Sequence, residues 1–218
     1  MTWVFDNYDS VLSALGTHIV FSIVPVLLGL VLAIPLGWLA NRTPTVRMVM
    51  TNAAGLLYTV PSLAVFVFMP PVLGTQILDP ANVIVALTIY TVALLVRTVS
   101  DALVAVPPNV LDAANAMGYT PLRRFAGVEL PMAVPVIVAG LRVAAVSTIS
   151  LVTVGSVIGF GGLGLLFTEG FNRSNNAQIV SGIVLVLLLA LVVDSLLLLA
   201  GRVLTPWERA RRTVGRPA

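Results

Sequence analysis

Long apolar stretches dominate this chain, and polar residues are concentrated in the short connections between them. A stretch of about 20 apolar residues is long enough to cross the hydrocarbon core of a membrane as an α-helix. The pattern predicts an all-α, polytopic membrane protein with about five transmembrane helices and a single domain over residues 1–218. The predicted spans are Thr17–Ala40, Met48–Met69, Asn82–Ser100, Leu130–Ile158 and Ile179–Gly201.

Two of these stretches depart from a regular membrane helix. Asn52, Gly55 and Pro61 interrupt the second one, and such interruptions are tolerated in a membrane only where neighbouring groups satisfy the freed backbone. The fourth stretch is longer than the hydrocarbon core requires. We therefore expect it to tilt or to begin beneath the membrane surface.

The composition supports a membrane protein and excludes several kinds of site. Hydrophobic residues make up 58% of the chain and charged residues 10%, whereas soluble domains carry about 25% charged residues. Because the chain has no cysteine and only one histidine, His18, it cannot supply a Cys/His metal site or a disulfide framework. It also has no lysine, which excludes a Walker A nucleotide loop. If ATP drives this protein, another chain must bind it.

The arginines predict an orientation in the membrane. In a five-span chain, the connections after the first and third spans lie on the same side as the basic tail at about residues 202–218, and these segments hold most of the arginines. They are Arg42, Arg47, Arg97, Arg123, Arg124, Arg202, Arg209, Arg211, Arg212 and Arg216. Since basic residues favour the cytoplasmic side, the N-terminus is predicted to lie outside and the C-terminus in the cytoplasm. No basic residue precedes Arg42, so we expect the first stretch to be a retained helix.

The third connection, about residues 102–129, has the pattern of a helix–turn–helix. Pro107-Pro108 ends the preceding helix, and Asn109–Met117 is predicted to form a short helix. Gly118 suits the stop at its C-terminus. Thr120-Pro121 then restarts a helix, with Thr120 as N-cap and Pro121 at the first helical position. We expect this segment to lie along the cytoplasmic face of the membrane.

A spaced motif occupies this connection. Asp112-Ala113-Ala114 is followed after three residues by Gly118, and after nine more by Val128-Glu129-Leu130-Pro131. The spacing resembles the EAA loop of binding-protein-dependent ABC permeases, with Asp112 in place of glutamate and Val128 in place of isoleucine. The resemblance implies a loop that couples the permease to an ATPase. Its residues would be Asp112, Ala113, Ala114, Gly118, Val128, Leu130 and Pro131.

The residue types also suit coupling on physical grounds. Ala113 and Ala114 keep the helix slim and favour helicity, while Asp112 offers a charge to a basic residue of a partner. Leu130-Pro131 begins the fourth span, so a push on the loop would move that span as a lever. The alternative is an ordinary amphipathic surface helix between two spans.

Further stretches resemble one subgroup, the osmoprotectant permeases that import glycine betaine, carnitine, choline and related solutes. These stretches are Val60–Ala64, Val106–Pro108, Ala139–Arg142 and Gly159–Gly164. The resemblance implies the fold of a type I ABC importer permease, working on a compatible solute such as glycine betaine, carnitine, choline or proline betaine. A permease of a methionine or other amino-acid ABC importer is an alternative, and a stand-alone secondary transporter is an alternative from a different class.

The same resemblance implies partners and a location. The chain itself would be no enzyme and would hold no cofactor, since ATP and Mg would bind to separate cytoplasmic ABC ATPase subunits. A second permease, identical or related, would complete the pathway, and an extracytoplasmic solute-binding protein would deliver the solute. The implied location is the bacterial cytoplasmic (inner) membrane. The chain would contact the lipid bilayer and would not bind nucleic acid.

Three further groups of polar residues are candidates for function. Arg142 and Asp194 lie inside predicted spans, where an unpaired charge is costly, so we predict an ion pair between the fourth and fifth spans; binding of a zwitterionic solute is the alternative. Arg173, in the outer loop, could meet an acidic patch on a binding protein or be a solvated loop charge. Hydroxyl residues recur at every third position of the fourth span, and they could line a hydrated pathway or let helices approach closely. They are Ser147, Ser150, Thr153 and Ser156.

Overall fold

The computed structural model describes residues 2–207, and every regular element in that range is helical. The predicted all-α class is therefore confirmed. The basic tail is described only as far as Trp207, so Arg209, Arg211, Arg212 and Arg216 lie outside the described residues. The helices are α1 Thr2–Asp6, α2 Tyr8–Ala40, α3 Pro44–Thr59, α4 Ser62–Leu73, α5 Pro80–Val104, α6 Pro108–Ala116, α7 Pro121–Arg124, a π-helical turn Phe125–Glu129, α8 Leu130–Gly155, a 3-10 turn Ser156–Ile158, α9 Leu165–Asn172 and α10 Asn176–Leu204.

Within residues 2–207, four helical segments are long and apolar enough to cross a membrane: α2, α5, the run Pro121–Ile158 and α10. They correspond to the first, third, fourth and fifth predicted spans. The structure extends each of them beyond the predicted bounds, because polar residues such as Asp9 lie within the helical turns at the ends.

The second predicted span is not one continuous helix. Instead, α3 and α4 meet at a bend of 101°. Pro61 causes this break, because it has no N–H to continue the helix and it forces the preceding residue out of the helical region. Val60 accordingly adopts an extended conformation, with ψ of 133°. The predicted interruption of the Met48–Met69 stretch is therefore confirmed at Pro61.

The broken pair nevertheless runs along the whole length of α5. Near the start of α3, Arg47 binds Asp101 at the C-terminal end of α5. At the break, the carbonyl of Val60 accepts a hydrogen bond from Tyr90 in the middle of α5. After α4, the hydroxyl of Thr75 donates to Asn82 at the N-terminal end of α5. The contacts progress from one end of α5 to the other, which favours a second span that crosses the membrane with a bend over a loop that returns to its starting side.

Helix α5 lies at the centre of the bundle, parallel to α2 and antiparallel to α8. Gly29 of α2 allows the first contact, since a Cβ atom there would lie 2.3 Å from Cγ2 of Thr91. Gly140 of α8 allows the second, since a Cβ atom there would lie 2.3 Å from Cγ2 of Thr98. Side chains of α2, α5 and α8 fill the main core, which α10 extends through one buried residue. Its members include Val26, Ala33, Leu95, Val99, Ala133, Ile137, Ile149 and Val193.

The fourth span begins earlier than predicted. The helix continues without a break from Pro121 through α7 and the π-helical turn into α8. In this turn the N–H of Leu130 donates to the carbonyl of Phe125, five residues earlier. A proline inside an α-helix lacks a donor and collides with the carbonyl four residues before it, and the wider π turn relieves this conflict at Pro131. Leu130-Pro131 is therefore inside the helix and not at its start.

Candidate functional site

Helix α6 presents one face outward and packs the other against α7 and the π-helical turn. Ala114 is 1% exposed, whereas Asp112 and Ala113 are exposed. Two large apolar side chains are exposed close by, with Met117 at 68% and Leu122 at 65%. Asp112, Ala113, Met117 and Leu122 of this loop are therefore all accessible to a partner.

Gly118 ends α6 in a Schellman motif. Its φ is +78°, in the left-handed region that favours glycine. The N–H of Gly118 donates to the carbonyl of Asn115 at 2.9 Å, and the N–H of Tyr119 donates to the carbonyl of Ala114 at 3.1 Å. These two bonds satisfy the last carbonyls of the helix. The structure thus has the sharp turn that the sequence predicts here.

The second helix of the loop begins as predicted, but not by the predicted cap. Thr120 occupies the N-cap position and Pro121 the first helical position. Among the described residues, however, the Thr120 side chain accepts no capping hydrogen bond. The continuity of α7 with the long fourth span holds this short helix in place instead.

A polar network that is buried at Glu129 joins α6 to the start of α8, and no local sequence pattern indicates it. Nε of Arg124 donates to Oε1 of Glu129 at 2.7 Å, and its NH1 donates to Oδ1 of Asn115 at 2.8 Å. The exposed fraction of the side chain is 10% for Glu129 and 28% for Arg124. Residues five apart do not share a face of an α-helix, and only the π-helical turn brings this pair together. Sequence spacing therefore carried no signal for it.

The segment Phe125–Pro131, which contains the motif residues Val128, Leu130 and Pro131, connects the loop to the membrane helices. Phe125 is buried and packs on Trp38 of α2, with 5.2 Å between the ring centroids. Leu130 is half-buried against the main core. Val128 and Pro131 line a shallow cleft, together with Trp207 beyond the end of α10. The start of α8 is thereby in contact with both α2 and the C-terminal segment.

The structure brings Arg142 and Asp194 together between α8 and α10. Nε and NH2 of Arg142 each donate to a different carboxylate oxygen of Asp194, both at 2.7 Å. Both side chains are about one-third exposed in the single chain. Such a bidentate geometry fixes direction as well as distance, so the pair holds these two helices in register.

The hydroxyl residues of the fourth span have different surroundings. Ser156 is buried and donates to the carbonyl of Thr153 at 2.7 Å. A Cβ atom at Gly164 would lie 2.4 Å from Oγ of Ser156. The absence of a side chain at Gly164 therefore lets the glycine-rich segment lie close to this serine. Thr153 donates to the carbonyl of Ser150 at 2.6 Å. Ser147 is half-buried and Ser150 exposed, so these two remain on the open face of the chain.

His18 holds the glycine-rich segment Gly159–Gly164 to the bundle, a role that the sequence did not indicate. Its Nδ1 accepts from the N–H of Leu163 at 3.2 Å, and its Nε2 lies 3.1 Å from the carbonyl of Ile149. Because Nδ1 is an acceptor, Nε2 carries the proton and donates it to that carbonyl. Three glycines with positive φ make the turns of this segment, namely Gly159, Gly161 and Gly162.

Arg173 lies at the same end of the bundle as the glycine-rich segment, just after α9. Its side chain is 70% exposed, and its NH2 lies 3.9 Å from Oε2 of Glu169. Glu169 also accepts from Nε2 of Gln178 at 3.2 Å. The guanidinium of Arg173 thus has a weak, exposed ion pair with Glu169 and is accessible at the surface.

The sequence is similar to permease proteins along most of its length. The choline transport system permease protein OpuBB of Bacillus subtilis (strain 168) is 36% identical, over 87% of this chain and 86% of that protein. The osmoprotectant import permease protein OsmW of Salmonella typhimurium is 35% identical, over 94% and 96%. The carnitine transport permease protein OpuCB of Listeria monocytogenes is 36% identical, over 89% and 88%.

Solved structures and a family model agree with these relatives. A chain of the MetNI methionine ABC transporter, in inward facing conformations, has a TM-score of 0.74 and 24% identity, covering 97% of this chain and 99% of its own. This likeness confirms the expected type I importer permease fold. The family model described as binding-protein-dependent transport system inner membrane component matches residues 26–209, which include α6, Gly118 and the start of α8. The chain therefore belongs to the family of binding-protein-dependent transport system inner membrane components.

Proposed function

We propose that this chain is the transmembrane permease subunit of an ATP-driven ABC importer for a compatible solute with a quaternary ammonium group, such as choline, carnitine, glycine betaine or proline betaine. The observation that carries the proposal is the 35–36% identity over most of the chain to permeases named for choline, osmoprotectants and carnitine. The amino-acid alternative has less support, because the similarity to the methionine transporter chain is 24% identity and concerns the fold.

In the proposed complex, cytoplasmic ABC ATPase subunits dock on α6. The support is local: Asp112 and Ala113 are exposed, Met117 and Leu122 add apolar surface, and the turn at Gly118 fixes the end of the helix. ATP and Mg bind to the ATPase, and this chain contributes no catalytic residue. Motion of the ATPase then reaches the membrane through the unbroken helix Pro121–Ile158.

A second permease, identical or related, completes the pathway. None of the side chains of α3, all of which lie in the described range, is buried in the single chain. The most apolar stretch of α10 is likewise uncovered. Ser147 and Ser150 lie on an open face of the chain, where a facing subunit would enclose them. A pair of such chains related by a two-fold-like axis provides that enclosure.

The orientation follows from charge. Arg42 follows α2, Arg47 lies near the start of α3 and Arg97 lies in the second half of α5, all at the same end of the bundle as the Asp112 loop. The excess of arginine at this end supports a cytoplasmic location for it. The N-terminus is then outside and the chain is a multi-pass protein of the bacterial inner membrane. The opposite end, with Arg173, receives an extracytoplasmic binding protein whose aromatic residues select the quaternary ammonium group.

Co-purification tests the proposal. The tagged chain is extracted in several mild detergents, and the proteins that accompany it are identified by mass spectrometry. We expect an ABC ATPase and a permease chain. The solute-binding protein of the same transporter is then titrated calorimetrically with choline, carnitine, glycine betaine and methionine. Absence of any ATPase would overturn the importer, whereas binding of methionine alone would overturn the proposed solute class but leave the importer intact.

A further inference from the structure

The loop after α5 consists of two mechanical parts joined by one short turn. Helix α7 is continuous with α8 through the π-helical turn, so it moves with the membrane span. Helix α6 is a separate element, and the backbone connects it to α7 only through Met117–Thr120, where Gly118 has a positive φ. Movement of α6 is transmitted to α8 only if contacts other than this turn fix the angle between the two helices.

Arg124 connects α6 to the start of α8, because two different nitrogens of its guanidinium group donate hydrogen bonds. Its NH1 donates to Oδ1 of Asn115 in the last turn of α6, at 2.8 Å. Its Nε donates to Oε1 of Glu129 at the start of α8, at 2.7 Å. Asn115 is fixed twice, since its backbone carbonyl also accepts from the N–H of Gly118. A single side chain therefore connects the end of one helix, the turn and the beginning of the other.

The bridge differs from an ordinary surface ion pair. The Glu129 side chain is only 10% exposed, so its carboxylate depends on Arg124 for the partner that water would otherwise supply. The adjacent Arg123 has a different environment, with its guanidinium carbon 4.9 Å from the ring centroid of Tyr119. The two neighbouring arginines carry the same charge, and only Arg124 joins α6 to α8.

We propose that Arg124 is a positioning residue that holds α6 at a fixed angle to α8, so that movement of an ATPase bound to α6 is transmitted to the membrane span. This inference rests on the proposed importer function. Arg124 itself lies behind the exposed face of α6, so its loss leaves Asp112 and Ala113 available to the ATPase. The expected defect is hydrolysis without transport, and not loss of the ATPase.

The first test measures the angle directly and needs no partner. The chain has no cysteine, so spin labels can be attached at Asn109→Cys in α6 and Val136→Cys in α8, both of which are exposed positions. Distances between the labels are measured in lipid nanodiscs by pulsed electron paramagnetic resonance. We expect a single narrow distance peak for the otherwise unchanged chain and for Arg123→Gln, and loss of that peak for Arg124→Gln.

The second test measures coupling in the complete importer, reconstituted with its ATPase and binding protein. Loss of a charge-assisted hydrogen bond corresponds to a roughly tenfold fall in the population in which α6 keeps its fixed angle to α8, while α6 itself remains formed. We therefore expect about a tenfold fall in solute transported per ATP hydrolysed for Arg124→Gln, and no change for Arg123→Gln. Glu129→Gln should act in the same direction, and the double variant should be no worse than Arg124→Gln, because both act through one contact.

The outcomes separate the two ideas. A narrow peak for Arg124→Gln, or a broad peak with unchanged transport per ATP, would overturn the positioning role even in an importer that assembles normally. Equal losses for Arg123→Gln and Arg124→Gln would also overturn it, since they would show a general effect of charge. If the unmodified chain recruits no ATPase, the proposed function is wrong, whatever the label distances show.

Discussion

Replacing Gly118 by alanine should weaken binding of the ATPase through the backbone alone. Among the described residues, and apart from Gly118 and its two chain neighbours, no atom lies within 4 Å of the position that a Cβ atom would take at Gly118, so a clash with a packed neighbour is not the cause. The cost comes from the φ of +78°, which an L-residue adopts at a cost of about 1–2 kcal/mol. That free energy corresponds to roughly a 5- to 30-fold fall in the population of the formed turn.

Because only the formed turn presents α6 correctly, the apparent affinity for the ATPase should fall by a similar factor. The measurement is a titration of the purified ATPase onto the chain in nanodiscs. Gly127→Ala is the matched control: it lies in the same loop, does not have a positive φ, and its Cβ would lie 3.7 Å from Tyr119, an ordinary contact. Gly118→Asn should fall between the two, since asparagine tolerates the left-handed region. Equal affinities for Gly118→Ala and Gly127→Ala would refute the reasoning.

Two other predictions concern the membrane helices. Gly29→Ala should lower the Tm in detergent, because its Cβ would lie 2.3 Å from Cγ2 of Thr91. Overpacking of this kind costs about 1–3 kcal/mol, which corresponds to several degrees in Tm for a chain of this size. The control is Gly16→Ala in the same helix, which has nothing described within 4 Å and should not lower the Tm. Arg142→Asp and Asp194→Arg should each reduce the yield of monodisperse protein in size-exclusion chromatography, and the double swap should recover part of it. A double swap that is no better than either single variant would show that the 2.7 Å contacts do not stabilise the fold.

The sequence predicts the membrane helices well because the length of an apolar stretch is a local property. It does not predict the path of the second span. Pro61 was visible as an interruption, but the direction of the bend depends on Val60 bonding to Tyr90, 30 residues away. Apolar residues suit a straight span and a bent one equally, so the apolar pattern alone does not distinguish them.

In the candidate site, too, the features that depend on neighbouring residues are predictable from the sequence, and those that depend on distant contacts are not. The turn at Gly118 and the helix start at Pro121 are determined by residues next to each other, and the structure has both. The bridge of Arg124 to Glu129 depends on a π-helical turn, which no local sequence pattern predicts. The hydrogen bonds of His18 join residues 131 and 145 positions apart, and sequence spacing has no rule for such pairs.

The helical run Pro121–Ile158, which contains α8, has fixed contacts near both of its ends. The run Pro121–Ile158 has 38 residues, which corresponds to about 57 Å at 1.5 Å per residue. At one end Glu129 is fixed to Arg124, and at the other the carbonyl of Ile149 is bonded to His18, which also binds the glycine-rich segment. A continuous helix does not shorten under load without breaking its hydrogen bonds. On the proposed function, a displacement of α6 is therefore passed along α8, which packs closely on α5 at Gly140, toward the outer loops.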